Sequence, residues 1–214
     1  MREPSTTLPI HSLAEAYLYL MVAPCEACAG PLRPVEHRVQ HDGDAHVLTV
    51  PVACKSCGKE TNVLFDARGI DPAAVVGGAG AGASVHGLAD PHTVPPINPT
   101  DEPSRIIDVA GWLTLYTVIS EAAQAAASTA RTTDERIIAR QMLIQAAQCL
   151  DEALCFYDAD NDLPPEEAFF RTESRQQFRE RPELFTRQRL IELRAELPVQ
   201  RAAGDHEAPK HGTK

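Results

Sequence analysis

The chain has 214 residues, 43% of them hydrophobic and only 5% aromatic, and its formal net charge is −10. That length and apolar content suffice for one modest domain with a small module beside it. The acidity excludes a chain-wide basic face of the kind that neutralises nucleic-acid phosphates, and most of it sits in residues 101–197, which carry −7.

Residues 1–10 read as a loose tail. They open Met1-Arg2-Glu3-Pro4-Ser5 with no basic then apolar leader, which predicts a cytoplasmic protein whose thiols stay reduced. The count of 16 Arg against 4 Lys, together with abundant Ala, suggests a GC-rich bacterial genome. Ser12 and Glu15 have capping-box spacing and predict a short helix over residues 13–22, stopped by Pro24. Tail and helix make up a first segment, residues 1–23.

Residues 24–70 are predicted to be β structure around a metal. Residues 32–40, 47–53 and 62–65 read as strands, with Asp42-Gly43 as a hairpin turn between the first two. Two Cys-x-x-Cys pairs bracket that hairpin: Cys25 and Cys28, then 25 residues, then Cys54 and Cys57. A two-residue gap lets a chain curl so that both sulfurs face one point, and two such knuckles complete the tetrahedral thiolate shell of zinc. Gly58 directly follows Cys57 and Gly30 follows Cys28 by two; glycine permits the positive φ that such turns favour. The predicted cofactor is one structural Zn2+ held by Cys25, Cys28, Cys54 and Cys57. A redox pair would need a βαβ context, and an iron centre uses similar spacing. His41 and His46 flank the turn beside Asp42 and Asp44; they read as a surface turn, with a second metal site as the sharper alternative.

Pro24-Cys25-Glu26-Ala27-Cys28 and Cys54-Lys55-Ser56-Cys57-Gly58, with the hairpin between them, resemble the zinc-ribbon fold group over residues 24–66. The resemblance implies a C4 structural zinc between two knuckles on a small antiparallel sheet. Ala29 departs from it, standing where ribbon knuckles often carry glycine. The fold group is functionally broad and implies no specific activity.

Residues 71–100, rich in Gly, Pro and Ala, read as a linker, with residues 94–97 extended along another surface. Within it, residues 72–89 lack charge, but Gly78 and Gly82 sit in a Gly/Ala-rich run rather than a strongly apolar span, so no membrane role is predicted.

Residues 101–197 are predicted to be an all-helical domain built on a long helical hairpin. Its first helix runs from residues 100–104 to about 128, and its second opens at Thr132, with Glu135 completing a capping box, and ends near Tyr157. In the second, Gln141, Gln145, Gln148 and Glu152 form a polar stripe opposite Ile138, Met142, Ala146, Leu150 and Leu154. The first is apolar all round, so part of it must be covered from elsewhere. Ile107, Trp112, Leu115 and Ile119 are the candidate interface, covered either by the short helices of residues 165–197 or by another protein chain. Cys149 and Cys155 lie about 240° apart around the helix and read as core thiols. Asp158, Asp160 and Asp162 begin like a calcium loop, but Leu163 and Phe169 stand where that loop needs Gly and Glu. Whether the acidic stretch 151–167 meets a cation or a basic partner stays open. Arg171, Arg175 and Arg179 form a stripe that reads as a solvated face, with phosphate binding as the alternative. Shorter helices are expected after Pro164 and Pro165, after a Thr172 cap and after a Thr186 cap, and residues 198–214 form a tail.

The expected class is therefore α+β. The expected role is a non-enzymatic adaptor or accessory subunit, with a protein partner or self-association. Its alternatives are a transcription- or nucleic-acid-associated ribbon and a sensor or accessory subunit of an enzyme complex. Nucleic acid is expected only with a partner's help, because residues 24–70 carry five cations against six carboxylates.

Overall fold

The computed structural model describes residues 7–35, 47–68, 70 and 94–198. It is an α+β structure: a four-stranded sheet and five α-helices. The expected hairpin turn, His41 and His46, most of the expected linker and the tail at 199–214 lie outside the described residues.

The strands are β1 (Leu8–Pro9), β2 (Leu32–Pro34), β3 (Val47–Cys54) and β4 (Glu60–Asp66), in the order β1-β4-β3-β2. β3 pairs antiparallel with β4 from Val47 opposite Asp66 to Ala53 opposite Glu60, and antiparallel with β2 from Leu32 opposite Cys54. Its side chains alternate, with Leu48, Val50 and Val52 buried and Val47, Thr49 and Pro51 partly exposed, the period-2 pattern of a strand with one face on a core. A proline in a central strand costs a ladder donor. Here the Pro51 carbonyl accepts the Val35 amide at 2.9 Å, so the missing N–H also points past the end of β2, where little pairing is lost. The expected loose tail contains β1, which pairs parallel with β4, Leu8 opposite Phe65. Two apolar-flanked residues are too short a run to show strand periodicity, so this element was not visible in the sequence.

Helix α1 (Leu13–Val22) starts where the capping spacing predicts: the Ser12 hydroxyl accepts the Glu15 amide at 3.1 Å. It forms a layer between sheet and helices. On one side Tyr19 meets Phe65 edge-on, ring centroids 5.9 Å apart. On the other Val22 abuts Gly111, where an added Cβ would lie 3.8 Å from Val22 Cγ2.

Helix α2 (Val109–Thr129) begins later than the sequence predicts. Asp108 is its cap, accepting the Gly111 amide at 2.8 Å, while Ser104 closes a separate turn by accepting the amides of Ile106 and Ile107. Helix α3 (Thr133–Leu154) has the predicted reciprocal box between Thr132 and Glu135 and packs along α2. After a 3-10 turn (Glu166–Ala168) come α4 (Thr172–Glu180), a second 3-10 turn (Pro182–Phe185) and α5 (Arg187–Glu196). Thr172 is not the cap of α4; Arg171 occupies that position and its amide donates to Ser174 Oγ at 3.2 Å. Thr186 caps α5 as expected.

One apolar cluster runs through all of these layers, from Leu48, Val52 and Phe65 through Leu18 and Leu20 to Trp112, Leu150, Phe169, Phe185 and Leu190. Each such large side chain, fully buried, contributes on the order of 1.5–3 kcal/mol. The segment before α2 is part of the same cluster. As expected it lies extended on other elements: Ile97 is buried, its carbonyl accepts the Ser12 hydroxyl, and the Pro95 carbonyl accepts Gln148 Nε2 at 3.1 Å.

Candidate metal centre

Both Cys-x-x-Cys segments fold into the same backbone turn. In the first, the Ala29 amide reaches back to the Cys25 carbonyl at 2.7 Å and the Cys25 amide reaches forward to Gly30 at 2.8 Å. In the second, Gly58 bonds Cys54 at 3.0 Å and the Cys54 amide bonds Lys59 at 2.9 Å. The residue after each pair is left-handed, Ala29 at φ 55° and Gly58 at φ 73°. The sheet brings the two turns together, because Cys54 ends β3 opposite Leu32 and the Lys55 amide donates to Pro31 at 2.9 Å. Gly30 makes the approach possible: a Cβ there would collide with Ser56 Oγ and stand 3.1 Å from Cys54 Sγ.

The four sulfurs of Cys25, Cys28, Cys54 and Cys57 all lie within 4.8 Å of one another. The Cys28–Cys54 and Cys25–Cys57 separations are 3.5 and 3.8 Å. A tetrahedral ion with bonds of about 2.3 Å sets its sulfurs about 3.8 Å apart, so the spacing fits a metal ion, and all six cysteines are free. Cys25 and Cys54 are buried while Cys28 and Cys57 face outward, which gives the site a closed floor and an accessible rim.

The thiols act on one another's protons. At Cys54 the Cys57 amide, helped by the Ser56 amide and by neighbouring thiols, outweighs burial and brings the group down to about 6. At Cys28 the Gly30 amide pulls downward, but the thiols of Cys57, Cys54 and Cys25 together with burial push the group up to about 12. Such a cluster shares protons in place of a cation, and a bound divalent ion would displace them.

Among the described residues this is the one group of His, Cys, Asp or Glu side chains spaced for a metal. Asp158, Asp160 and Asp162 do not form a second: the Asp162 carboxylate accepts the Gln188 amide at 3.1 Å and its carbonyl accepts Arg187, anchoring α5. The arginine stripe is likewise engaged. Arg171 donates to the Val22 carbonyl at 3.2 Å, Arg175 to the Phe169 carbonyl at 2.8 Å, and Arg179 pairs with Glu166. Of the two cysteines expected in the core, Cys149 is buried, and desolvation raises its thiol, whereas Cys155 is exposed.

The candidate interface requires correction. Ile107, Trp112, Leu115 and Ile119 are all at most 5% exposed and belong to the common core, so the face of α2 that the sequence left open is covered within the chain. The polar stripe is also not a solvent face. Gln148 and Glu152 lie against residues 95–98, and Ile138, assigned to the apolar side, is exposed. A cleft of about 250 Å³ beside Pro24 is lined by Tyr19, Arg105, Phe170 and Arg171, with Asp108 at its base. The Asp108 carboxylate is fully engaged: besides Gly111 it accepts the Phe170 amide at 3.1 Å and the Ser174 hydroxyl at 2.6 Å. It therefore ties α2 to α4.

No helix among the described residues is long and apolar enough to cross a membrane. No family model, curated protein or solved structure matches the chain, so functional inference rests on the cysteine cluster and its surroundings.

Proposed function

We propose that the chain is a non-enzymatic zinc-ribbon protein, an adaptor or accessory subunit that works through contacts with another protein. The observation that carries this reading is the convergence of four cysteine sulfurs at tetrahedral spacing. Zinc suits such a site better than calcium or magnesium, which take oxygen ligands. Four thiolates fill the zinc shell and leave no position for an activated water, so the ion serves folding rather than catalysis. The bound ion would fix the two turns against each other and stiffen the rim formed by Cys28, Cys57 and the exposed Glu26, Ala27, Lys55 and Ser56. That rim projects from a protein whose helical part is strongly acidic, which favours a protein partner over a polyanion. Cytoplasmic residence belongs to the same proposal, since reduced thiols are what the metal requires.

Elemental analysis of protein purified without added metal tests the reading. One equivalent of zinc per chain is expected; iron, or reduced protein without metal, would overturn it. Binding to duplex and single-stranded nucleic acid at 50 and 200 mM salt separates the adaptor reading from the nucleic-acid one. Absence of steeply salt-dependent binding is expected.

A further inference from the structure

Apart from the four-cysteine cluster, two glutamates are sunk where α1 and the helices meet. Glu15, in the first turn of α1, has no exposed surface. Its Oε2 accepts the His11 amide at 2.6 Å and stands 3.2 Å from His11 Nδ1, while its Oε1 has no hydrogen-bond partner. Glu152, near the end of α3, is 7% exposed and accepts Asn98 Nδ2 at 3.2 Å; the same amide group also donates to the Glu102 carbonyl at 2.7 Å. Residues 95–98 thus lie across both helices, held to α1 through Ser12 and to α3 through Gln148 and Glu152.

Among the described residues, no Lys or Arg forms an ion pair with Glu15 or Glu152. Arg194, on α5, is taken by Asp151 at 2.9 Å. The charges that act on Glu152 are Glu15 from α1 and Asp151 from its own helix, both negative; Asn98 faces it from the crossing segment as a neutral donor. The nearby thiols of Cys149 and Cys155 are raised by burial, and Asp101 adds its negative charge at Cys155. Among the described residues, the group there able to become a cation is His11, beside Glu15. Two buried carboxylates without a fixed cation do not both ionise at low cost. Burial, and then the Glu15 and Asp151 charges against the pull of Asn98, push Glu152 up to about 7. A protonated Glu152 is a donor in a region where Glu15 Oε1 is an acceptor without one.

We propose that Glu15 and Glu152 form a proton-operated clasp that holds α1, residues 95–98 and α3 together while the pair carries a proton, and that loosens when the proton leaves. The folded state binds this proton more tightly than the unfolded chain. Its stabilisation is therefore complete below the ordinary glutamate range near 4.5 and is lost as pH rises through about 7. The clasp is independent of the metal. It would let modest alkalinisation change how firmly the cysteine-bearing half is seated on the helices.

The test uses the full, metal-loaded chain. Carbon-13 NMR titration of glutamate carboxyls from pH 5 to 8.5 should show a titration near 7 that Glu152→Gln abolishes. In parallel, the urea midpoint of the wild type should fall across that range, with the fall flattened in Glu152→Gln. Glu15→Gln, which removes the like charge, should move the titration to lower pH, and it serves if Glu152→Gln does not fold. Histidines change charge in the same range, so His11→Asn is the control and should retain the fall. The proposal is overturned if every glutamate titrates below 5.5, if wild type and Glu152→Gln slopes coincide, or if His11→Asn alone removes the fall.

Discussion

The two cysteine turns share one backbone plan yet use glycine for different reasons. At the second turn, Gly58 occupies the left-handed position, and a Cβ added there would meet nothing within 4 Å, so its requirement is conformational. At the first, that position holds Ala29, and the glycine comes one residue later, where Gly30 lies against Ser56 and Cys54. That requirement is steric. The first turn accepts the strain of a left-handed alanine, and the second accommodates no bulk from its neighbour. The same residue type beside the same motif thus answers to two separate constraints, and only the opposing turn distinguishes them.

The strongest disruption of this arrangement is Cys54→Ser. It removes a buried ligand at the end of β3, the strand that carries Leu48, Val50 and Val52 into the core. Structural zinc contributes on the order of 10 kcal/mol of folding free energy, and Leu48, Val52 and Phe65 share one cluster with Trp112 and Leu150. The variant should lose its zinc by elemental analysis, and its helical circular dichroism should melt well below that of the wild type. A helical melt unmoved by metal loss would show that sheet and helices fold separately despite their shared core.

Next in size is Gly30→Ala, whose Cβ collides with the Ser56 side chain; a cost of about 1–3 kcal/mol is expected from chemical denaturation. Ser56→Gly should recover most of that loss in the double variant. An additive pair would show that the constraint at Gly30 is not this contact. Gly58→Ala should cost about 1 kcal/mol, with no partner residue able to rescue it, because a left-handed alanine carries about 1–2 kcal/mol of strain. The smallest effect is a gain. Ala29→Gly relieves that strain but adds chain entropy to the unfolded state, so a net stabilisation of about 0.5 kcal/mol is expected in thermal melts. A loss there would mean that Ala29 makes contacts that outweigh its backbone strain.

The metal ligands were legible because their geometry is local: four thiols in two x2 pairs, joined by a span of hairpin length, have few arrangements other than convergence. Helix starts were legible for the same reason, and they also show the limit. Ser12-x-x-Glu15 and Thr132-x-x-Glu135 are one signature. At Thr132 the glutamate closes on the amides of Thr132 and Arg131 in open solvent, and those bonds, that of Thr132 first, hold its carboxyl below the ordinary range. At Ser12 the glutamate takes the His11 amide instead and is sealed in a layer that includes Ile97, 85 residues further on from Ser12. Spacing decides that a cap forms; distant chain decides whether the cap is wet or dry. For the same reason Trp112 and Leu115 read as apolar surface awaiting cover without revealing that the cover is intramolecular, and Asp108 did not register as the cap of α2 because Ile106 and Ile107 extend its apolar pattern upstream. A buried carboxylate with no cation at helical spacing, such as Glu152, is indistinguishable in sequence from a solvated one.

The position of α1 between sheet and helices bears on the order in which the protein is made. A ribosome delivers α1, the cysteine turns and the sheet strands before it delivers α2 and α3. During that interval Leu18 and Leu20 have only part of their eventual surroundings. The nascent first third is therefore a stretch of chain with its metal ligands in hand and one apolar layer uncovered, a species prone to clump or to recruit a chaperone until the helical pair arrives.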